Sequence, residues 1–303
     1  MKIEKLLTSP PPATGWSLDA EMAVVVQRPN KGDLSCAAVE VPAKVFEVGP
    51  VGLQSVDADS LRPVLARLQD EVQGTKRAAV VVPSGWLRTH LLEFDELPRR
   101  QIDVRDMVMW RLKKLLPVPT SNLRLATVTQ PAGDVGRRLL VLVGVERAMA
   151  SLEEAFGTIG VSPGLIAPRA FVVAGRGEPG SRVLIIQQEQ GFLSLVLLID
   201  DVPHLVRTKP LPSDDWAVVE RELNLTMSFL EERMEIEKPL PVRLSVESAV
   251  LAGRLRTWIE LADGVSPAAV SPGQRSFVGT TVVDRVGNHR LDPVVNVMSG
   301  GIR

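Results

Sequence analysis

The chain has 303 residues, 45% hydrophobic and 23% charged, a globular balance that excludes wholesale disorder and leaves room for two ordinary domains. Its 35 basic and 36 acidic residues give a formal net charge of -1, so the basic excess of a nucleic-acid binder is missing. Cys36 is the one cysteine, which excludes an intrachain disulfide and a cysteine zinc cluster, and the absence of tyrosine argues against stacking sites.

Residues 1–8 lack the apolar core of a signal peptide. The longest strongly apolar stretch, Phe192–Ile199, is far short of the ~20 residues that span a bilayer. No direct membrane insertion is expected, and association with a membrane would come through a partner. Pro10 to Pro12 read as a stiff lead-in. Strand-like runs follow at Thr14–Leu18, Met22–Gln27, 34–41 and 46–51, with Pro29-Asn30-Lys31-Gly32 as a turn, which makes a β-meander. Asp59 and Ser60 suit the N-cap of a helix over 61–72, with Pro63 in its first turn and Gly74 as its stop. Leu61, Val64, Leu65, Leu68 and Val72 form its apolar stripe. The fully apolar run 78–82 predicts a buried central strand.

Next come a strand over 87–94 and a helix over 104–116, striped by Val104, Met107, Val108, Leu112 and Leu115 and ended by Pro117 and Pro119. Strands at Leu123–Thr129 and 138–145, with Gly133 and Gly136 between them, lead to a helix over 148–159. This order predicts a small inserted sheet with both helices on one face. The glycine-rich stretch 176–181 marks a boundary, and a second meander begins: 182–187, Phe192–Ile199, the Asp200-Asp201 turn, then 204–209. Ser213 to Asp215 cap a long helix to about 234, followed by a strand at 242–246 and a helix over Ala249–Leu261. Beyond 265, Gly279, Gly287, Gly300 and Gly301 discourage a firm helix assignment. The expected organisation is α/β: a first lobe over 1–83, completed by about 161–175, an inserted α+β subdomain over 84–160, and a second lobe over 176–303.

Two meander-first halves with an insert after the first resemble the actin-like (ribonuclease H-like) two-lobed ATPases. The run Glu96-Leu97-Pro98, then 107–119 with its Leu-Pro-x-Pro-like end, resembles the insert of the PilM family of type IV pilus assembly proteins, which is similar to the cell-division actin homologue FtsA. Leu142-Val143-Gly144-Val145 and Leu211-Pro212 before a long helix fit the same family, and the resemblance spans about 15–270. It implies a cytoplasmic protein, peripheral to the inner membrane, that holds the cytoplasmic amino-terminal tail of a PilN-like membrane protein in a groove between the first body and the insert. Contact with pilus motor ATPases is a further implied possibility. Such a scaffold transmits assembly or motor state and performs no chemistry.

An actin-type site grips phosphates between two acid-plus-glycine hairpins, where backbone N–H groups can approach the ligand. The first hairpin here reads Leu18-Asp19-Ala20-Glu21-Met22: Asp19 is kept, the glycine is lost, and Glu21 adds negative charge. The second reads 185–191, with Glu189 and a late glycine, Gly191. The adenosine-side motif at 246–253 keeps Gly253 without a paired glycine. Asp19, Gly191 and Gly253 are therefore expected to mark a vestigial nucleotide cleft with no catalytic residue, no metal and no cofactor. A working ATPase that binds ATP and magnesium, or a cytoplasmic L-type component of a type II secretion system, is the alternative.

The remaining candidates read as structural. His90, His204 and His289 are scattered, Cys36 sits in an apolar run, Asp200-Asp201 forms a turn, and Asp214-Asp215 suit a helix cap. On the helix after Pro98, Met107, Met109 and Trp110 widen the apolar face. Trp110, with Trp86 and Arg88 from the segment joining the first body to the insert, is expected to meet the partner.

Overall fold

The computed structural model describes residues 12–28, 33–72, 76–116, 118–130, 136–173, 180–268, 277–278, 286 and 288–298. The lead-in at Pro10 and Pro11, the turn at 29–32, Gly74, Pro117, Gly133, most of the 176–181 boundary, Gly279, Gly287, Gly300 and Gly301 lie outside the described residues.

The first lobe opens with an antiparallel meander, β1 (Thr14–Leu18), β2 (Met22–Gln27) and β3 (Leu34–Glu40). A hairpin of β4 (Phe46–Gly49) and β5 (Gly52–Val56) leads to α1 (Ala58–Asp70). The cap is Asp57, not Asp59 or Ser60: its carboxylate accepts from the Ser60 N–H at 3.2 Å and the Ser60 hydroxyl at 2.7 Å. The helix therefore starts three residues early, and Pro63 falls in its second turn, where it removes a hydrogen bond that the apolar stripe outweighs. Next, β6 (Arg77–Val82) returns parallel to β1.

The insert is a three-stranded antiparallel sheet of β7 (Arg88–Phe94), β8 (Leu123–Thr129) and β9 (Arg137–Val145), in the order β7-β9-β8, covered by α2 (Gln101–Leu112). Central β9 is buried on both faces. Leu139, Val141 and Val143 pack with Val104, Val108 and Leu112 of α2, while Leu140 packs toward the second lobe. That explains its near-continuous apolar run. Helix α3 (Glu146–Thr158) does not cover this sheet as expected. Its Ala148, Leu152 and Phe156 join the first lobe's core with Leu61 and Leu65, and Phe156 meets Trp16 edge to face at 5.3 Å. A helical stripe reports that a face is buried, not which core buries it. The chain then adds β10 (Ser162–Pro168), parallel to β6 and absent from the expected elements because two prolines and a glycine interrupt it.

The second lobe repeats the plan with β11 (Arg182–Glu189), β12 (Phe192–Ile199), β13 (Val202–Pro210), α4 (Trp216–Met234), β14 (Leu240–Val246), α5 (Ala249–Leu261) and β15 (Val265–Pro267). Its strand order, β13-β12-β11-β14-β15, matches β3-β2-β1-β6-β10 of the first sheet read in the opposite direction. Two meander-plus-crossover lobes with a small insert constitute the actin-like, ribonuclease H-like fold. The second lobe does not run to the end of the chain. Strand β16 (Phe277–Val278) pairs with β3, and α6 (Asn288–Met298) crosses back to the first sheet. Leu291, Val294, Val295 and Met298 of α6 pack on Val24, Val26, Ala79 and Val81. Gly15 permits this approach, because a Cβ there would stand 2.6 Å from Val294 Cγ1. Among the described residues, no helix is long and apolar enough to cross a membrane.

Candidate functional site

Asp19 closes the turn between β1 and β2. One carboxylate oxygen accepts from the backbone N–H groups of Glu21 at 3.0 Å and Met22 at 2.9 Å, so the turn is pinned from inside. The residue is fully buried. A buried carboxylate needs cationic partners, and two arginines supply them. Arg290 of α6 donates its Nε to Asp19 at 2.6 Å, and Arg169, just after β10, approaches at 3.5 Å. Burial alone pushes the Asp19 carboxyl up, but the Arg169 charge and the Arg290 hydrogen bond outweigh it and hold the group below its ordinary value.

The same arginines reach across to the second lobe. Arg169 is 1% exposed; one nitrogen donates to Ser17 Oγ at 2.9 Å and another pairs with Glu189 at the end of β11. Glu189 also accepts from the Ser84 N–H at 2.7 Å, and Ser84 donates its hydroxyl to Gln187 at 2.7 Å. Burial pushes the Glu189 carboxyl up against the pull of Arg169 and Ser84. Arg290 donates to Glu21 at 3.1 Å and to Glu247 at 3.2 Å. Glu189 therefore does not project into an open cleft as a bare repulsive charge. It is consumed, with Asp19, in an ion network that ties the lobes together.

Backbone donors of the two hairpin turns and of the adenosine-side motif are occupied as well, the Gln190 N–H by Glu247 at 3.0 Å. The Ala20 N–H donates to the side-chain oxygen of Gln190 at 3.3 Å, so the two hairpin turns bond to each other. The N–H groups of Glu247 and Ser248, at the start of α5, donate to the side-chain oxygen of Gln188 at 3.1 and 2.9 Å. Phosphate oxygens are acceptors of this kind, and here glutamine amides take their donors. Gly191 has a role that needs no ligand: with Gln190 it forms the two-residue β11–β12 turn, at φ values of 46° for Gln190 and 74° for Gly191. Gly253 lies inside α5, facing the outer groove between α4 and α5. Asp19 and Gly191 thus belong to hairpin turns bonded to each other, while Gly253 lines the outer groove. Among the described residues, no group of three or more His, Cys, Asp or Glu side chains could hold a metal.

The expected partner residues also lie apart. Trp86 is 1% exposed and packs on Phe46 with ring centroids 4.4 Å apart, so it cannot touch a partner directly. Arg88 donates to the Pro50 carbonyl at 2.9 Å and pins the insert's first strand to the β4–β5 turn. Trp110 is 59% exposed on α2, with the Lys114 ammonium 4.2 Å from its ring centroid. A largely apolar groove of about 340 Å³ does run between the insert and the first lobe, on the sheet face opposite α2. Val128, Leu140 and Leu142 form one wall and Leu165 and Ile166 of β10 the other, with Pro203 of the second lobe at its end. Strand β10 is the edge of its sheet and β8 the edge of the insert sheet. Leu165 and Ile166 carry no clear strand signal in the sequence, because β10 is broken by prolines, which edge strands tolerate.

The remaining candidates are structural. Burial raises the Cys36 thiol and makes it a poor nucleophile. Burial, reinforced by Arg88 for His90 and by Arg138 for His204, lowers both imidazoles; His204 Nδ1 lies 3.3 Å from Arg138. The side chain of His289 lies outside the described residues. Asp200 and Asp201 hold the left-handed turn between β12 and β13 at φ 52° and 63°, and Asp215 caps α4.

No protein-family model matches the chain, and no curated protein matches it. Solved structures do. A chain of the PilM-PilN type IV pilus biogenesis complex aligns with TM-score 0.72 over 96% of this chain and 99% of that one, at 17% identity. The cytoplasmic domain of EpsL, an inner-membrane component of the type II secretion system of Vibrio cholerae, aligns with TM-score 0.51 over 95% of this chain and 93% of that one, at 8% identity. At these identities the likeness establishes the actin-like fold.

Proposed function

We propose that this protein is a non-catalytic actin-like adaptor of a type IV pilus or related secretion machine, and that it holds the cytoplasmic tail of a PilN-like inner-membrane protein in the groove between insert and first lobe. The observation that carries the reading is the pairing of an interlobe cleft filled by the chain's own side chains with a solvent-facing apolar groove beside it. Gln188, Gln190, Arg169 and Arg290 fill the former, and Leu165 stands 39% exposed in the latter. Among the described residues β10 is the edge of its sheet, so its backbone groups would serve an extended segment, while Val128, Leu142 and Leu165 offer pockets for alternate side chains. The structural likeness to a chain of the PilM-PilN complex supports this choice of partner over other extended peptides. Anchoring would then be peripheral, through the partner, on the cytoplasmic face.

The test is a fluorescence-anisotropy titration with a synthetic peptide of the amino-terminal tail of the PilN-like protein from the same genome. Binding is expected, and Leu165→Glu should weaken it by about tenfold or more, because a carboxylate would be desolvated against an apolar strand. Leu165 is exposed enough that the variant should fold. No binding to folded protein, or equal affinity in the variant, would refute the groove assignment.

A further inference from the structure

Helix α2 should be polar on its outer side, since Val104, Val108 and Leu112 already bury its inner face against the insert sheet. It is not. Ile102 and Trp110, two turns apart and on one outward face, are 55% and 59% exposed, and Leu115 in the turn after the helix is 52% exposed. Around these side chains the chain is strongly cationic. Residues 99–114 contain Arg99, Arg100, Arg105, Arg111, Lys113 and Lys114 against Asp103 and Asp106, a local excess of four positive charges in a molecule of net charge -1. Arg99, Arg105, Lys113 and Lys114 are exposed. Arg100 pairs with Asp103 at 2.8 Å, which uses up one of the two acids.

A tryptophan and an isoleucine on the outer face of a helix, with an exposed leucine just beyond it and lysines and arginines at both ends, suit the headgroup region of an anionic bilayer. There the indole sits at the polar boundary and the cations meet lipid phosphates. The Lys114 ammonium above the Trp110 ring places both groups at one height on the surface. A protein partner with an acidic face could satisfy the charge, but it does not by itself account for an aromatic-aliphatic ridge that projects from the helix instead of forming a groove. We infer that the outer face of α2, with the exposed turn that follows it to Leu115, docks directly on an anionic phospholipid surface. This does not depend on the peptide groove, which lies on the other side of the insert sheet.

The test is co-sedimentation of the whole chain with vesicles of pure phosphatidylcholine and of phosphatidylcholine doped with phosphatidylglycerol. Binding is expected only to the doped vesicles and should fall with added salt. Reversing both lysines, Lys113→Glu with Lys114→Glu, should lower the partition coefficient by about tenfold or more. Brominated lipid should quench part of the tryptophan emission in the parent, and that part should vanish in Trp110→Phe, which keeps the fold. Both variants alter exposed positions, and circular dichroism verifies their folding. The inference is overturned by equal binding to both vesicle types, by binding unaffected by charge reversal, or by quenching that survives Trp110→Phe. It is equally overturned by an absence of vesicle binding together with self-association that Trp110→Phe abolishes, which would assign the face to a second copy of the chain.

Discussion

Arg169→Ala is expected to lower the free energy of unfolding by about 3–5 kcal/mol, the usual cost of removing one member of a buried ion pair. The arginine is 1% exposed and sits between Asp19, Ser17 and Glu189. Its removal takes the cation from Glu189, 2% exposed, which keeps the Ser84 N–H as a donor, and leaves Asp19 with the Arg290 guanidinium. Glu189 is already pushed up by burial and would take a proton, which recovers part of the cost. A second variant separates charge from packing. Adding Glu189→Gln to Arg169→Ala should recover a portion of the loss, since the orphaned carboxyl is then neutral. Urea denaturation of the four proteins in the cycle measures the coupling. A loss below about 1 kcal/mol for Arg169→Ala would mean that the pair is solvated and that the lobes are joined by something else.

Arg290→Ala comes next in size, at about 3 kcal/mol. Its guanidinium contacts Asp19 and Glu21 of the first lobe and Glu247 of the second, with its side chain 8% exposed. The apolar face of α6 stays in place, so the effect should be local to the cleft. Hydrogen exchange should show protection lost at the amides of residues 20–22 and 188–190 while α6 remains protected. The sign of the pH dependence follows from Asp19. Its native carboxyl is held below the unfolded value, so the stability it contributes is present above the unfolded pKa and is lost as pH falls through the native one. Without Arg290 the native carboxyl moves back up, and acid unfolding should begin at higher pH.

The two meanders and the helices that follow them were legible because those elements announce themselves within a few residues, whereas proline-broken β10 and the glycine-flanked α6 do not. The meanders alternate or run apolar, and Leu61, Leu65 and Leu68 repeat at helical spacing. What could not be read was which surfaces meet. Helix α3 carries a plain stripe that fits the insert sheet and the first lobe equally well on paper, and only Trp16 against Phe156 decides between them. The ion network was hidden for a related reason. Asp19 and Arg290 lie 271 positions apart, and no local pattern records such a pair. One faint signal existed: Arg169 interrupts the apolar run from Leu165 to Val173, and a lone arginine in such a setting implies a buried acid. Gly191 misled in the other direction. A late glycine after a strand suits a phosphate turn and a plain hairpin alike, and here the hairpin accounts for it.

The chain fills its interlobe cleft with its own side chains. Titration calorimetry with ATP and magnesium tests that most directly. The glutamine oxygens on Ala20, Glu247 and Ser248 and the two arginines on Asp19 predict no saturable heat up to about 1 mM nucleotide. Saturable binding near the micromolar range, abolished by Asp19→Ala in a folded variant, would contradict it and return the protein to the working ATPases.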